Sequence, residues 1–196
     1  MATNTTSSVR RTSPATDLAL IAVFAGFVAA FALTPAIPVG SLGVPITLQT
    51  LAVALTGLVL GPRRGFLAVL LYVVAGFAGL PIFAGGAGGL GVFAKPSIGY
   101  LLSFPFAAAL AGFLAYRLLA TPRRALWAWL AGAGLVASFV LVHPAGIAGM
   151  ATILHLDLGK AVLADLLYWP GDVIKNLVAG FIAAQVHRAF PTLRRS

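Results

Sequence analysis

Apolar residues run through this chain in long blocks, and polar residues gather in the short stretches between them. Most blocks approach the roughly 20 residues a helix needs to cross a lipid bilayer. The pattern predicts transmembrane helices over 17–33, 47–61, 65–82, 97–120, 125–142 or beyond, and 171–187. Turn signals separate them. Gly61-Pro62-Arg63-Arg64-Gly65 and Thr121-Pro122-Arg123-Arg124 each stop one helix and start the next, and Thr16 and Asp17 are placed to cap the first. The block at 47–61 is short, so tilt or shielding by neighbours is expected there. Residues 1–16 read as a disordered basic tail, 17–188 as one membrane domain and 189–196 as a second basic tail. The first apolar block is expected to remain as an anchor: no small-residue cleavage site follows it, and five further apolar blocks do.

Composition strengthens this picture. Of 196 residues, 60% are hydrophobic and 9% charged, so lipid is the solvent for most of the chain and no length is left for a separate soluble domain. The sequence holds no cysteine, which excludes disulfides, thiolate catalysis and cysteine-ligated metals.

A net charge of +9 would suit nucleic-acid binding in a soluble protein, but here its placement reports topology. Arg10, Arg11, Arg63, Arg64, Arg117, Arg123, Arg124, Arg188, Arg194 and Arg195 flank alternate connections on one side, and only Lys95, Lys160 and Lys175 fall on the other. The positive-inside rule then puts both termini in the cytoplasm, an arrangement that six spans satisfy and five or seven do not. The expectation is an all-α, six-helix bundle, multi-pass in a bacterial inner membrane, with lipid and not nucleic acid around it. The connections 34–46, 83–96 and 143–170 then face outward. They are long and rich in Gly and Pro, as loops that build a capture site on a rigid scaffold are.

The stretch Tyr168-Trp169-Pro170-Gly171-Asp172-Val173-Ile174-Lys175-Asn176 carries the clearest chemistry. Pro170 suits a helix start, so Asp172 lies in the first turn with Lys175 three residues on, along the same face. An ionisable residue in a membrane costs about 3 kcal/mol even on the lenient insertion scale, and such residues usually face a cavity. Two readings fit: a binding pair, or an acid that complements the helix dipole and neutralises its neighbour. Gln49, Lys95 and Tyr100 fall towards the same side, each also explicable as an interhelical bond, a snorkelling cation or an interfacial anchor.

Other signals carry less. The glycine-rich run from Phe83 to Gly91 lacks the Lys-Ser or Lys-Thr of a phosphate loop and reads instead as a loop able to fold over a small ligand. His143, His155, Asp157 and Asp165 match no metal spacing and are expected to be polar loop residues. Ser97 stands in no nucleophile elbow, so hydrolysis is not expected, nor is any metal or cofactor. Ala22, Gly26 and Ala30 recur at intervals of four, beside Ala25 and Ala29, a stripe that permits close approach of another helix, within the bundle or on a partner.

Several of these stretches together resemble the BioY family, the biotin-specific substrate-binding subunits of energy-coupling-factor transporters. The similarity spans residues 17–184. It rests on Val44-Pro45-Ile46-Thr47-Leu48-Gln49-Thr50-Leu51, the Leu60-Gly61-Pro62-Arg63 turn, Gly79-Leu80-Pro81-Ile82-Phe83-Ala84-Gly85-Gly86, Gly89-Leu90-Gly91, Gly99-Tyr100-Leu101 and Pro170-Gly171-Asp172-Val173-Ile174-Lys175. The resemblance implies capture of biotin from outside and docking, through Ala22, Ala25, Gly26 and Ala29, onto a membrane coupling subunit driven by two ATPases. It further implies that Lys175 holds the carboxylate, and that Asp172 with Gln49 or Asn176 holds the ureido group. Tyr100, Trp169 and Phe83 would cover the bicyclic ring. Lys95-Pro96-Ser97 departs from the family's expected Gly-Pro-Thr. The alternative is a proton-coupled secondary transporter of a small carboxylate-bearing solute, opposed by the lack of a visible inverted repeat.

Overall fold

A computed structural model describes residues 13–39, 43–191 and 193. Arg10, Arg11, Arg194 and Arg195, and with them most of the first tail and half of the second, lie outside the described residues.

Helix α1 spans Pro14–Ala32. It starts ahead of the predicted position because Ser13, and neither Thr16 nor Asp17, is the cap: its hydroxyl accepts the Thr16 N–H. Asp17 instead pairs with Arg64 at 2.7 Å. That contact ties the start of α1 to the predicted arginine turn.

Helix α2, Gln49–Phe77, is broken at Gly61, whose φ of 80° and ψ of −179° are foreign to a helix and open to glycine. Pro62 then starts the second limb, where its missing N–H costs nothing. The limbs 49–60 and 62–77 fold back on each other. Residues 23 apart in an unbroken helix would stand about 35 Å apart, yet Gln49 Nε2 donates to Tyr72 Oη at 2.7 Å. The two predicted spans are therefore one helical hairpin, with its turn at the predicted Gly-Pro and its arms ending earlier than 82.

Helix α3, Ile98–Leu119, packs along α2, and a Cβ at Gly57 would strike the Ala108 carbonyl, so the two backbones are in contact there. Helix α4, Leu126–Ala137, passes through a π-type turn, Ser138–Val142, into α5, His143–Ile153. Pro144 sits in the first turn of α5, and the wider turn before it absorbs the bond that proline removes. A short α6, Leu158–Asp165, is capped by Asp157, which accepts the Lys160 N–H at 3.0 Å. Helix α7, Trp169–Ala189, lies against α4 and α2.

The expected open connection at 143–170 is thus a correction: most of it is helix, because the apolar residues around its few polar ones can pack. Among the described residues no strand forms, and the candidate membrane spans by length and apolarity are α1, α2, α3 and the continuous stretch 126–153. Helix α7 lacks that apolarity, carrying Asp172, Lys175, Asn176, His187 and Arg188.

Two cores fill the bundle. Around the Gly61 turn and the far end of α7 the buried apolar side chains are Leu, Val and Ala, with Leu58, Ala111, Leu130 and Ala183 nearly inaccessible. At the other end the core includes Tyr72, Phe83, Tyr100, Phe104 and Tyr168. Large rings on a few helices leave space between them, and the cavity lies there.

Candidate functional site

Two connections close over the aromatic end. In the first, Ile37 and Ile46 pair in both directions at 2.9 Å, fixing the course of Val44 to Thr47. In the second, short 3-10 turns at Ala84–Gly86 and Leu90–Ala94 are pinned by Phe83, whose ring meets Tyr72 and Phe77 edge-on at 5.4 Å. Gly76 leaves the room for that ring, since a Cβ there would overlap it. The glycine-rich run is therefore a fixed cover rather than a loose strap.

Between these connections and the starts of α3 and α7 lies a largely apolar cavity whose polar lining includes Gln49, Thr50, Lys95, Tyr100, Asp172 and Lys175. Asp172 is 3% exposed. Its Oδ1 accepts from Thr50 Oγ1 and from Lys175 Nζ, both at 2.9 Å, while the same ammonium donates to Thr50 at 3.1 Å. Its Oδ2 has Ser138 Oγ and His143 Nε2 each at 3.5 Å. The helix start explains the arrangement: Asp172 and Lys175 share a face, and the first limb of α2 brings Thr50 to it.

A second carboxylate stands behind the first. Asp165 is wholly buried and accepts from the Tyr100 hydroxyl, from Trp169 Nε1 at 2.8 Å and from His143 Nδ1 at 2.9 Å. His143 bridges the two acids. On the remaining wall the Gln49 amide donates to Tyr72 and accepts from Thr47 at 3.1 Å, and Tyr168 donates to the Val44 carbonyl at 2.8 Å. Lys95, exposed beside the cavity, makes no ion pair or side-chain hydrogen bond among the described residues.

Of the residues singled out in the sequence, Asp172, Lys175, Gln49, Tyr100, Lys95 and Phe83 all line the cavity. Two do not. The Trp169 indole turns to Asp165, four residues before it on adjoining turns. Asn176 lies a turn deeper than Asp172, donates to the Asp172 carbonyl at 2.9 Å and packs against Gly134. The largest correction concerns His143 and Asp165, which were expected on a polar loop and are 2% and 0% exposed. Thr50 and Tyr168 line the cavity without having been singled out. On α1, Ala22 and Gly26 are exposed, but Ala25 is 7% exposed and Ala29 packs on the core, so half of the small-residue set serves this bundle itself.

The wall offers acceptors. An ionised Asp172 can only accept, and Tyr100 and Tyr168, which also line the cavity, give their protons to Asp165 and to the Val44 carbonyl, so that each oxygen keeps acceptor capacity alone. A complementary ligand carries N–H donors on a compact apolar body.

The model of the BioY family matches residues 3–192. A protein of Rhizobium etli named biotin transporter BioY is 38% identical over 90% of this chain and 96% of its own length. A probable biotin transporter BioY of Bacillus subtilis is 36% identical over 88% of this chain and 91% of its own. Among solved structures, the S-component for biotin from an ECF-type ABC transporter superposes with a TM-score of 0.84 at 26% identity, covering 91% of this chain and 95% of that one.

Proposed function

The chain belongs to the BioY family, and from that premise we propose that it is the biotin-binding subunit of a vitamin importer, taking biotin into the cavity beneath its two closed connections. The observation that carries the reading is the acceptor-lined wall at Asp172, Tyr100 and Tyr168, which suits the two ureido N–H groups of biotin. The apolar remainder, with Phe83 among it, suits the bicyclic ring. The family is one of transport proteins, not enzymes.

The geometry supports a different holder for the carboxylate than the sequence suggested. Lys175 already gives bonds to Asp172 and Thr50, so pairing it with a carboxylate would draw the ammonium away from Asp172. Among the described residues Lys95 has no side-chain partner and stands beside the same cavity. We assign the ligand carboxylate to Lys95 and the ureido group to the Asp172 end, with Lys175 holding Asp172 in place.

Equilibrium binding of biotin and of its neutral amide tests this division. Lys95→Met should weaken biotin about ten- to hundredfold, the worth of a charge-assisted hydrogen bond, and leave the amide nearly unaffected. Lys175→Met should weaken both ligands alike. The reverse pattern would return the carboxylate to Lys175.

The same reading gives six crossings: α1, the two limbs of α2, α3, the 126–153 stretch and α7. It sets both termini on the cytoplasmic side of a bacterial inner membrane, supported by the arginines near the Gly61 turn and the α3–α4 turn. As a subunit of an energy-coupling-factor importer, the protein would dock on a membrane coupling subunit driven by two ATPases. The exposed face of α1 at Ala22 and Gly26 supports that contact.

A further inference from the structure

His143 and Asp165 are buried in the bundle, yet neither lines the cavity and the reading above gives them no task. Stability alone is a poor account of them, because a buried polar or ionic pair can often be exchanged for well-packed apolar residues without loss. What they touch is more informative. Asp165 accepts from Tyr100, Trp169 and His143 together. A carboxylate has no proton to return, so Tyr100 must donate to it, and the tyrosine oxygen is left to the cavity as an acceptor. The same contact fixes the imidazole ring, whose Nε2 stands 3.5 Å from Asp172 Oδ2 with no hydrogen-bond partner among the described residues. Thr50 and Lys175 hold the other oxygen of Asp172.

We propose that His143 and Asp165 are a positioning pair that sets the acceptor polarity of the cavity wall, and thereby its selectivity for a head group that donates N–H bonds. The inference rests on the cavity being the ureido site. It goes beyond that reading by making selectivity depend on two residues that never meet the ligand. Asp165 acts through the direction of the Tyr100 hydroxyl, and His143 by holding the Asp165 carboxylate from Nδ1. Were Asp165 an amide, its own N–H would compete for the inward position. Tyr100 could then turn its proton into the cavity, placing a donor where a ligand N–H arrives.

The test compares biotin with cyclic carbamate analogues in which either ureido N–H is replaced by oxygen, a change of polarity at nearly constant shape. The unmodified protein should favour biotin. In Asp165→Asn that preference should fall about tenfold for one of the two analogues, roughly the effect of one reversed hydrogen bond. Tyr100→Phe removes the acceptor directly and should reduce the same preference even if Asp165→Asn yields no folded protein. His143→Phe should reduce the same preference, and that loss should shrink once Asp165→Asn is also present, as for residues acting through one another. The thermal midpoint of the ligand-free variants is followed alongside. A merely structural pair would lower all affinities in parallel and leave the preference unchanged, which overturns the proposal. Failure of the unmodified protein to bind biotin overturns the ureido reading and the pair with it. Tight binding that Asp172→Asn impairs, with an unchanged preference in Asp165→Asn and Tyr100→Phe, overturns the pair alone.

Discussion

The two ends of the bundle solve opposite packing problems with the same helices. Near the Gly61 turn the buried apolar side chains are Leu, Val and Ala, with Thr56, Arg64 and His187 among them, and helices meet backbone to backbone, as at Gly57 against Ala108 and at Gly180 against Ala131. At the other end Gly99 still meets the Ala145 backbone, but the core there is built of the rings of Tyr72, Phe83, Tyr100, Phe104 and Tyr168, and a cavity remains beside them. Small residues give close contact and dispersion without a hydrophobic driving force, which is how helices associate in lipid. Rings and buried polar groups give a shape that is satisfied only when something fills it. One end therefore holds the fold and the other the ligand.

The sharpest way to break this division is to exchange the perturbations. Gly57→Leu forces a side chain into the Ala108 backbone, and overpacking of that kind costs about 1–3 kcal/mol or more. The folded, monodisperse protein should be largely lost in size-exclusion chromatography. Ala87→Leu adds similar bulk to the cavity lining. It should leave the chromatogram and thermal midpoint near those of the parent while weakening biotin at least about tenfold. Equal stability loss from both would erase the distinction between the ends.

Helix α1 supplies a contrast of its own. A Cβ at Gly26 meets nothing within 4 Å, so Gly26→Leu should leave biotin binding by the isolated protein intact and reduce uptake in cells that depend on the coupling subunit. Unchanged uptake would remove α1 from the docking surface. Ala25→Leu is a different experiment, because Ala25 is 7% exposed and faces its own bundle.

The smallest expected effect separates the two acids of α6. Asp157 lies in the open at the helix start, where the Lys160 N–H, with the Lys160 ammonium, holds its carboxyl below the usual range. A depressed carboxyl stabilises the fold above its unfolded-state pKa, near 4, and that stability is lost as pH falls through the lower folded value. Asp157→Ala should thus lower the thermal midpoint slightly at neutral pH and progressively less as the solution is acidified below about pH 4. A deficit that persists unchanged in acid would mean that the carboxylate charge is not what caps α6.

These acids also show what the sequence could and could not disclose. The apolar blocks, the Gly61-Pro62 break and the Asp172-x-x-Lys175 pair are local patterns, and each was legible because its cause lies within a few residues. Asp157 and Asp165 look alike in sequence, both short polar side chains among apolar neighbours. One caps a helix, a local act. The other meets Tyr100, 65 residues away, and His143, 22 away, and no periodicity announces such partners. The helix running on from 137 through Pro144 is equally hidden, since a proline that a π-type turn accommodates is indistinguishable in sequence from one that ends a helix. Trp169 and Asn176 flank the legible pair, but the direction a side chain takes at a helix start depends on which neighbours are already there.

Equilibrium binding of radiolabelled biotin to the purified protein in detergent, with no nucleotide, coupling subunit or ion gradient present, tests the central claim most directly. The account predicts one biotin bound per chain, competed by unlabelled biotin and sharply weakened by Asp172→Asn. Folded protein that binds no biotin under these conditions, or that binds it equally well with Asp172→Asn, would contradict it.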